Sequence, residues 1–348
     1  MIIKDLYYDN WGMARAVIES STNVEYCVTI DQSTYRMWCS CPQQIFNPTS
    51  SCKHIRHLLD NLEYKKMVKK KFNFVETGSK TIDDLLGGGV PYGIVTAVYG
   101  EPTSGKTIFG HQMGLANIAK TGKKTILIET EGLRNYDVKI TLYKFMKRWG
   151  LDKDIVDDKY IIKHTMGNMQ LQSIQVLFKM FGVLPTFDIS DKGKYTTKFN
   201  DKIKPTISED TLKNTGMIII DSFTKPIKDS IGSNTQNLPA RSSLTEKLFN
   251  RLYHYAMVYN IAVIVNHHAS INPLQMFGRD LGKPYGGDPI LYNSKYAMEF
   301  IDAPRKLQQE TGWGIETRRV KLLRRPDAQS TNELFPVRLK NNFGYTDD

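Results

Sequence analysis

The chain has 348 residues, of which 41% are apolar and 24% charged, with four cysteines and a formal net charge of +11. Those figures allow one large domain with a smaller one attached. They exclude a disordered chain, a disulfide framework and, since no apolar run is long enough, a membrane span. The basic excess points to a polyanionic partner, nucleic acid first, and the start "MIIKDLYYDNWGM" lacks the features of a secretory leader, so an intracellular place, cytoplasmic or nucleoid-associated, is expected.

In chain order, residues 22–41 read as two strands, "TNVEYCVTI" and "TYRMWCSC", joined by the turn "DQS". A helix is predicted from Cys52, because Ile55, Leu58, Leu59 and Leu62 recur at helical spacing. Cys39, Cys41, Cys52 and His54 follow the order C-x-C, then residues 42–51, then C-x-H. Two ligands at a strand end and two at a helix start can close a tetrahedron, and three thiolates with an imidazole suit Zn²⁺. The alternative for such cysteines is packing as small apolar side chains. Cys27 is assigned to the strand core and His57 to the surface. The spacing resembles the SWIM zinc finger, a module associated with DNA or protein binding. A ββα zinc-binding domain is therefore expected over 1–64, where metal would supply much of the folding free energy. The lysine-rich "YKKMVKKK" suggests a basic linker over 65–75.

From residue 76 onward short β-branched runs alternate with amphipathic ones: "GIVTAVYG", "KTILIET", "KYIIKHT", "GMIIID" and "IAVIVNHH". Buried parallel strands read this way, so the expected core over 76–348 is a wound α/β sheet, mostly parallel and flanked by helices. "KYAMEFI", "ETRRVKLLRR" and "ELFPVRLK" are closely spaced strands that predict an antiparallel extension. Residues 183–215 are polar and weakly patterned, which reads as a surface insertion.

"GEPTSGKT" matches G-x-x-x-x-G-K-[ST] between a predicted strand and a predicted helix, over Gly100, Glu101, Pro102, Thr103, Ser104, Gly105, Lys106 and Thr107. Glycines let backbone N–H groups close on phosphates, and the helix N-terminus adds its positive end. Lys106 is expected to reach the β- and γ-phosphates of ATP and Thr107 to ligate Mg²⁺ with Asp221, which ends "MIIID". "TILIETE" puts Glu129 and Glu131 at a neighbouring strand end. Glu131 is the candidate to polarise a water, the alternative being that either acid caps the next helix. "VIVNHH" brings Asn266, His267 and His268 to another strand tip, where His267 is the candidate γ-phosphate sensor and His268 the candidate packed residue.

On these residues the core resembles the RadA/RecA recombinase family, nearest its archaeal RadA type, from "TGSKTIDDLLGGGVPYGIVTAVYGEPTSGKT" through "IETEG", "IIIDSFT" and "YNIAVIVNHH". The resemblance implies a RecA-like P-loop ATPase core. It gives Glu131 the catalytic role and the position of His267 that of the sensor, usually Gln in the family. It also implies two DNA-holding loops, the first carrying Lys225, Lys228 and Arg241, the second Arg279 and Lys283. The sequence departs from the family in three places. No helix–hairpin–helix domain is recognisable, no Phe-x-x-Ala hook occurs between Leu58 and Thr77, and "RRPDAQST" is basic where the family caps ATP across a subunit boundary. The expectation is a recombinase paralogue: an ATP- and Mg²⁺-dependent ATPase binding DNA, single-stranded by preference, in recombination or repair, with a recombinase or its own copies as protein partner. The alternatives are a regulatory ATP-binding partner with little hydrolysis, and a KaiC-like or helicase-like motor.

Overall fold

A computed structural model describes residues 1–8, 14–31, 36–43, 52–60, 74–166, 172–232, 234–268, 294–326 and 333–348. The chain divides into two compact units, Met1–Asn73 and Phe74–Asp348.

The first unit is a four-stranded antiparallel meander: β1 (Ile2–Tyr8), β2 (Ala14–Glu19), β3 (Glu25–Asp31) and β4 (Arg36–Cys39), followed by α1 (Lys53–Asp60). The expected strand–strand–helix is present as β3, β4 and α1, with two strands ahead of it. In β2 Ala16 and Ile18 go to the core with Val28, while Val17 and Glu19 are only half-buried, as strand alternation requires.

In the second unit, β5 (Phe74–Val75) and β6 (Val90–Pro91) pair around α2 (Lys80–Leu86). Ser79 caps α2 by accepting from the Ile82 N–H. There follow β7 (Val95–Gly100), α3 (Lys106–Thr121), β8 (Lys124–Glu129), α4 (Asn135–Phe145), α5 (Lys153–Lys159), β9 (Tyr160–His164) and α6 (Ser173–Met180). Next are β10 (Leu184–Ile189), β11 (Tyr195–Asn200), α7 (Glu209–Lys213), β12 (Thr215–Asp221), α8 (Thr224–Ile231), α9 (Leu238–Tyr259) and β13 (Ala262–His268). The chain ends with β14 (Tyr296–Asp302), α10 (Arg305–Thr311), β15 (Thr317–Arg324), β16 (Phe335–Lys340) and β17 (Gly344–Thr346).

One nine-stranded sheet organises this unit, in the order β17-β16-β15-β14-β7-β13-β12-β8-β9. β14, β7, β13, β12, β8 and β9 run parallel, and β15 to β17 extend the sheet antiparallel as expected. α3 covers one face, its Phe109 and Met113 packing with Met217, Ile219 and Ile264. On the other face Leu177, Phe178, Leu244, Leu248 and Leu252 pack with Ile126, Ile218 and Val263. Strands buried on both faces need the unbroken apolar runs that made them legible.

The stretch expected to be a surface insertion is a pinned hairpin. β10 and β11 pair from Leu184↔Asn200 to Ile189↔Tyr195. Phe187, Tyr195 and Phe199 lean on the core, and Phe199 stacks on Phe178 at 6.1 Å.

A polar row crosses the sheet on the face away from α3, where the register sets His267, Tyr99, Glu299 and Lys321 side by side. Burial pushes the Glu299 carboxyl up to about 7, with Lys321 opposing, and pushes His267 down to about 3. A raised carboxyl leaves the native state unaffected at low pH and destabilises it as pH climbs from the unfolded value near 4.5 through 7. Glu299→Gln is therefore expected to gain stability over the wild type progressively between pH 5 and pH 8, by up to about 3 kcal/mol. Urea unfolding of both proteins across that range measures the difference; a gap independent of pH would show that Glu299 is not held neutral.

Candidate functional site

The phosphate loop runs from the end of β7 into α3. Gly100 (φ 154°) and Gly105 (φ 96°) occupy left-handed or mirror-extended backbone, and a Cβ there would run into the carbonyl of Phe300 and the hydroxyl of Tyr345 respectively. The turn through Glu101, Pro102 and Thr103 is open to solvent, while Ser104 is buried. Its carbonyl accepts from Tyr345 Oη at 2.7 Å, so the last strand buttresses the loop.

Lys106, only 5% exposed, folds back on the loop and donates to the carbonyls of Gly100 (3.0 Å) and Glu101 (2.7 Å). Burial lowers its pKa, with Asp221 and Glu131 opposing. Asp221 ends β12 directly opposite Glu129, and its peptide to Ser222 is cis. Burial raises the Asp221 carboxyl; the Thr107 side chain lowers it, Glu131 raises it further and Asn266 lowers it. The register that pairs Ile220 with Val265 sets Asn266 beside Asp221, and both side-chain atoms of Asn266 are buried without a hydrogen bond. A glycine cradle, a buried ammonium, and an acid with a neighbouring hydroxyl and an unsatisfied amide fit a magnesium–nucleotide pair, with Thr107 and Asp221 as the metal-holding residues. Bound there, Mg²⁺ would neutralise charge on the phosphate oxygens.

The two glutamates of "TILIETE" divide the work. Glu129 is buried; its Oε1 accepts from the N–H of Glu131 (2.7 Å) and its Oε2 from that of Gly132 (3.0 Å), with His164 Nδ1 3.3 Å from the same Oε2. It anchors the turn. Glu131 projects from that turn, and its Oε1 lies 2.7 Å from His268 Nε2. The His268 hydrogen bond holds the Glu131 carboxyl below its usual range against the effect of burial.

The two histidines exchange their expected places. His267 is fully buried on the far face, tilted against Phe223 at 5.1 Å and stacked on Phe249 at 6.3 Å, with neither ring nitrogen hydrogen-bonded. His268 is the one that faces the site. Strand alternation is the signal that finds this: on β13, Asn266 and His268 share the face of Asp221, and His267 cannot.

Of the expected DNA residues, Lys225 and Lys228 lie on α8, a helix rather than a loop. Lys225 pairs with Asp229 at 2.8 Å and Lys228 is exposed. Arg241 is buried in α9 and donates to the Asn234 carbonyl at 2.6 Å, which turns it away from solvent. Arg279 and Lys283 lie outside the described residues, as do 65–73 of the expected linker and 327–331 of the basic "RRPDAQST" segment. In that last segment Arg325 donates to the carbonyls of Asp84 and Leu85, and so ties down α2 of its own chain.

In the first unit Cys39, Cys41, Cys52 and His54 are all buried, with one ligand atom from each lying within 4.8 Å of the others. His54 Nδ1 is 3.7 Å from Cys39 Sγ and 4.0 Å from Cys52 Sγ. A tetrahedral zinc with sulfur at ~2.3 Å and nitrogen at ~2.0 Å has S···N edges of about 3.6 Å, so the quartet fits such an ion with little closing movement. All four cysteines are free thiols, and burial pushes that of Cys39 up strongly.

Comparison with known proteins finds a family model described as ATPase: KaiC that matches residues 75–258, just over half of the chain. The DNA repair and recombination protein RadA of Aeropyrum pernix is 23% identical over 73% of this chain and 78% of its own length. RadA of Ignicoccus hospitalis is 26% identical over 72% and 73%. The DNA repair and recombination protein RadB of Thermococcus sibiricus is 28% identical over 57% and 69%. Among solved structures, the RadB recombinase matches with a TM-score of 0.54 at 20% identity, covering 79% of this chain and all of that one, a likeness of fold.

Two outcomes follow from this geometry. Lys106→Ala is expected to lower ATP turnover by about two orders of magnitude or more, because the loop holds no second lysine or arginine to meet a transferring phosphate. A coupled ATPase assay checks it, and unchanged turnover would remove the assignment. The full chain is expected to carry about one zinc per molecule by elemental analysis, lost together with a protease-resistant first unit in the Cys39→Ser, Cys41→Ser double variant. A metal-free wild-type preparation whose first unit resists protease equally would reject the site.

Proposed function

The chain belongs to the KaiC ATPase family, and from that premise we propose that it is an ATP-dependent DNA-binding protein of the RadA/RecA class, a recombinase paralogue acting inside the cell in recombination or repair. The observation that carries the catalytic part is the convergence of Lys106, Thr107, Asp221 and Glu131 at the carboxyl ends of adjacent parallel strands. In a site of this kind Lys106 would hold the phosphates, Thr107 and Asp221 would hold a magnesium ion that neutralises their charge, and the carboxylate of Glu131 would orient the attacking water, so positioning and charge would do nearly all the catalysis. Glu131 suits that role because Glu129 fixes its backbone and its own carboxylate stays ionised.

The DNA part rests on the names and likeness of the relatives and on the net charge of +11. Single-stranded DNA is the form proposed, with a recombinase or a second copy of the chain as protein partner. The Cys3His quartet is proposed to hold zinc and to make the first unit an accessory contact module. Two of the lysines first expected to touch DNA, Lys225 and Lys228, lie on the one helix α8, whereas Arg241 is buried in α9; the two lysines are the ones retained in the DNA reading.

ATP turnover is expected to rise several-fold with single-stranded DNA at low salt, and the stimulation to fade as salt increases, because phosphate contacts release counterions. Steady-state rates over a salt series, with single- and double-stranded DNA in parallel, measure this. Turnover indifferent to either polymer at every salt would sink the DNA reading, and stimulation by a recombinase alone would replace it with a regulatory partner.

A further inference from the structure

The hairpin of β10 and β11 is a two-stranded sheet of its own, laid on the core by one face. Strand alternation puts Phe187, Ile189, Tyr195 and Phe199 on that face, and the register carries Ile189 and Tyr195 out to the turn. At the opposite end the hairpin is anchored by charge. Asp201, just past β11, takes Lys247 at 2.6 Å and Arg251 at 2.9 Å from α9, and Lys247 also lies 5.5 Å from the centre of the Phe199 ring. On the outward face Lys198 pairs with Asp188 at 2.6 Å. The cations along the body of the hairpin already have their acids.

The turn, Ser190 to Lys194, is held by polar bonds instead. The Ser190 N–H donates to the Lys194 carbonyl at 3.0 Å, and Ser190 Oγ accepts from the Lys194 N–H at 3.1 Å. Gln236 Nε2 donates to the carbonyls of Lys192 (3.4 Å) and Gly193 (3.3 Å). Asn237, only 3% exposed, accepts from the Tyr195 N–H at 3.1 Å and donates to the carbonyl of Ile231, the last residue of α8, also at 3.1 Å. One buried amide thus ties the start of β11 to the end of α8. This clasp immobilises a turn whose side chains add nothing to the core. Lys192 and Lys194 are exposed, and among the described residues neither ammonium meets an acid. Asp191 is the one acid in the turn, and Ile189 beside it is 60% exposed.

We infer that this turn is a nucleic-acid contact: Lys192 and Lys194 hold backbone phosphates of a single strand, with Ile189 against its sugars or bases. The inference rests on the reading of the chain as a DNA-binding protein. It adds to the lysines of α8 a second basic element, fixed to that helix through Asn237. A turn whose main chain is ordered beforehand loses only side-chain freedom on binding, so more of the phosphate attraction appears as affinity. Phosphate contacts position a strand without reading its bases, so the turn serves any sequence. Among the described residues no hydrogen bond or ion pair joins it to the phosphate loop, Asp221 or Glu131, and ATP turnover without DNA does not depend on it.

The test uses the full chain with ATP and Mg²⁺, a fluorescent oligothymidine and its duplex with oligoadenine, and anisotropy over a salt series. Two lysine pairs are neutralised separately. One is Lys192→Gln with Lys194→Gln at the turn; the other is Lys202→Gln with Lys204→Gln, also exposed but beyond the opposite end of the hairpin. The turn variant is expected to bind the single strand about 10-fold more weakly at low salt. Its slope of log affinity against log salt should shrink by about 1.4, two phosphates at about 0.7 each. The second pair should leave both unchanged, and in both variants Tm and turnover without DNA should match the wild type. A wild-type chain that binds neither polymer at any salt would remove the reading beneath the proposal. Wild-type binding with an unchanged slope in the turn variant would leave that reading standing and overturn the role of the turn. An equal loss in the second pair, a loss confined to the duplex, or lower turnover without DNA would each overturn it as well.

Discussion

The register of four buried parallel strands is the constraint on which the second unit depends. β7, β13, β12 and β8 are hydrogen-bonded in sequence, so that Gly100 meets His268 and Asp221 meets Glu129. Among the described residues, Lys106, Thr107, Asp221 and Glu131 therefore arise together at the carboxyl ends of these strands. Slipping one strand by a single residue would turn its whole set of side chains to the opposite face. Binding residues on strand ends inherit the rigidity of the core beneath them, which here is apolar on both faces.

Burying charge at that edge has a cost that the fold offsets locally. Lys106 and Asp221 are both nearly inaccessible, and burial opposes the charged form of each. Lys106 meets the cost by donating to two loop carbonyls. Those carbonyls belong to the same loop whose N–H groups would face the phosphates. When the ammonium turns to a phosphate oxygen it exchanges one set of acceptors for another, and no donor is left bare in either state.

Features carried by a local pattern were legible in the sequence. The parallel strands, the phosphate loop, Asp221, Glu131 and the spacing of the cysteines all announce themselves within eight to sixteen residues. What could not be read was set by register, parity or partners distant in the chain. His267 and His268 are neighbours with opposite fates because β13 alternates, and the strand had to be placed on the sheet before its faces could be told apart. Arg241 looked available as a lone basic residue, and it took the fold of α8 and α9 to bury it against Asn234. The hairpin of β10 and β11 was hidden because only every second residue of β11 packs, leaving the average composition polar. Tyr345 buttresses Ser104 from 241 positions away, a contact no spacing rule reaches.

The first unit answers a different problem with the same economy. Among the described residues its buried cluster holds Ala16, Ile18, Val28, Ile55 and Leu58, with Ile3 and Tyr26 packed against it. The remaining buried members are Cys39, Cys41 and Cys52, with His54 among them. The core and the metal site are therefore one object: the groups that fill the space between β4 and α1 are the groups that would bind the ion. A thiol buried there alone is an unwilling anion, as the raised Cys39 shows. A divalent cation would reverse this, since it would stabilise the thiolates and draw strand end and helix start to one point. An ion held there would couple the folding of this unit to its occupancy by metal.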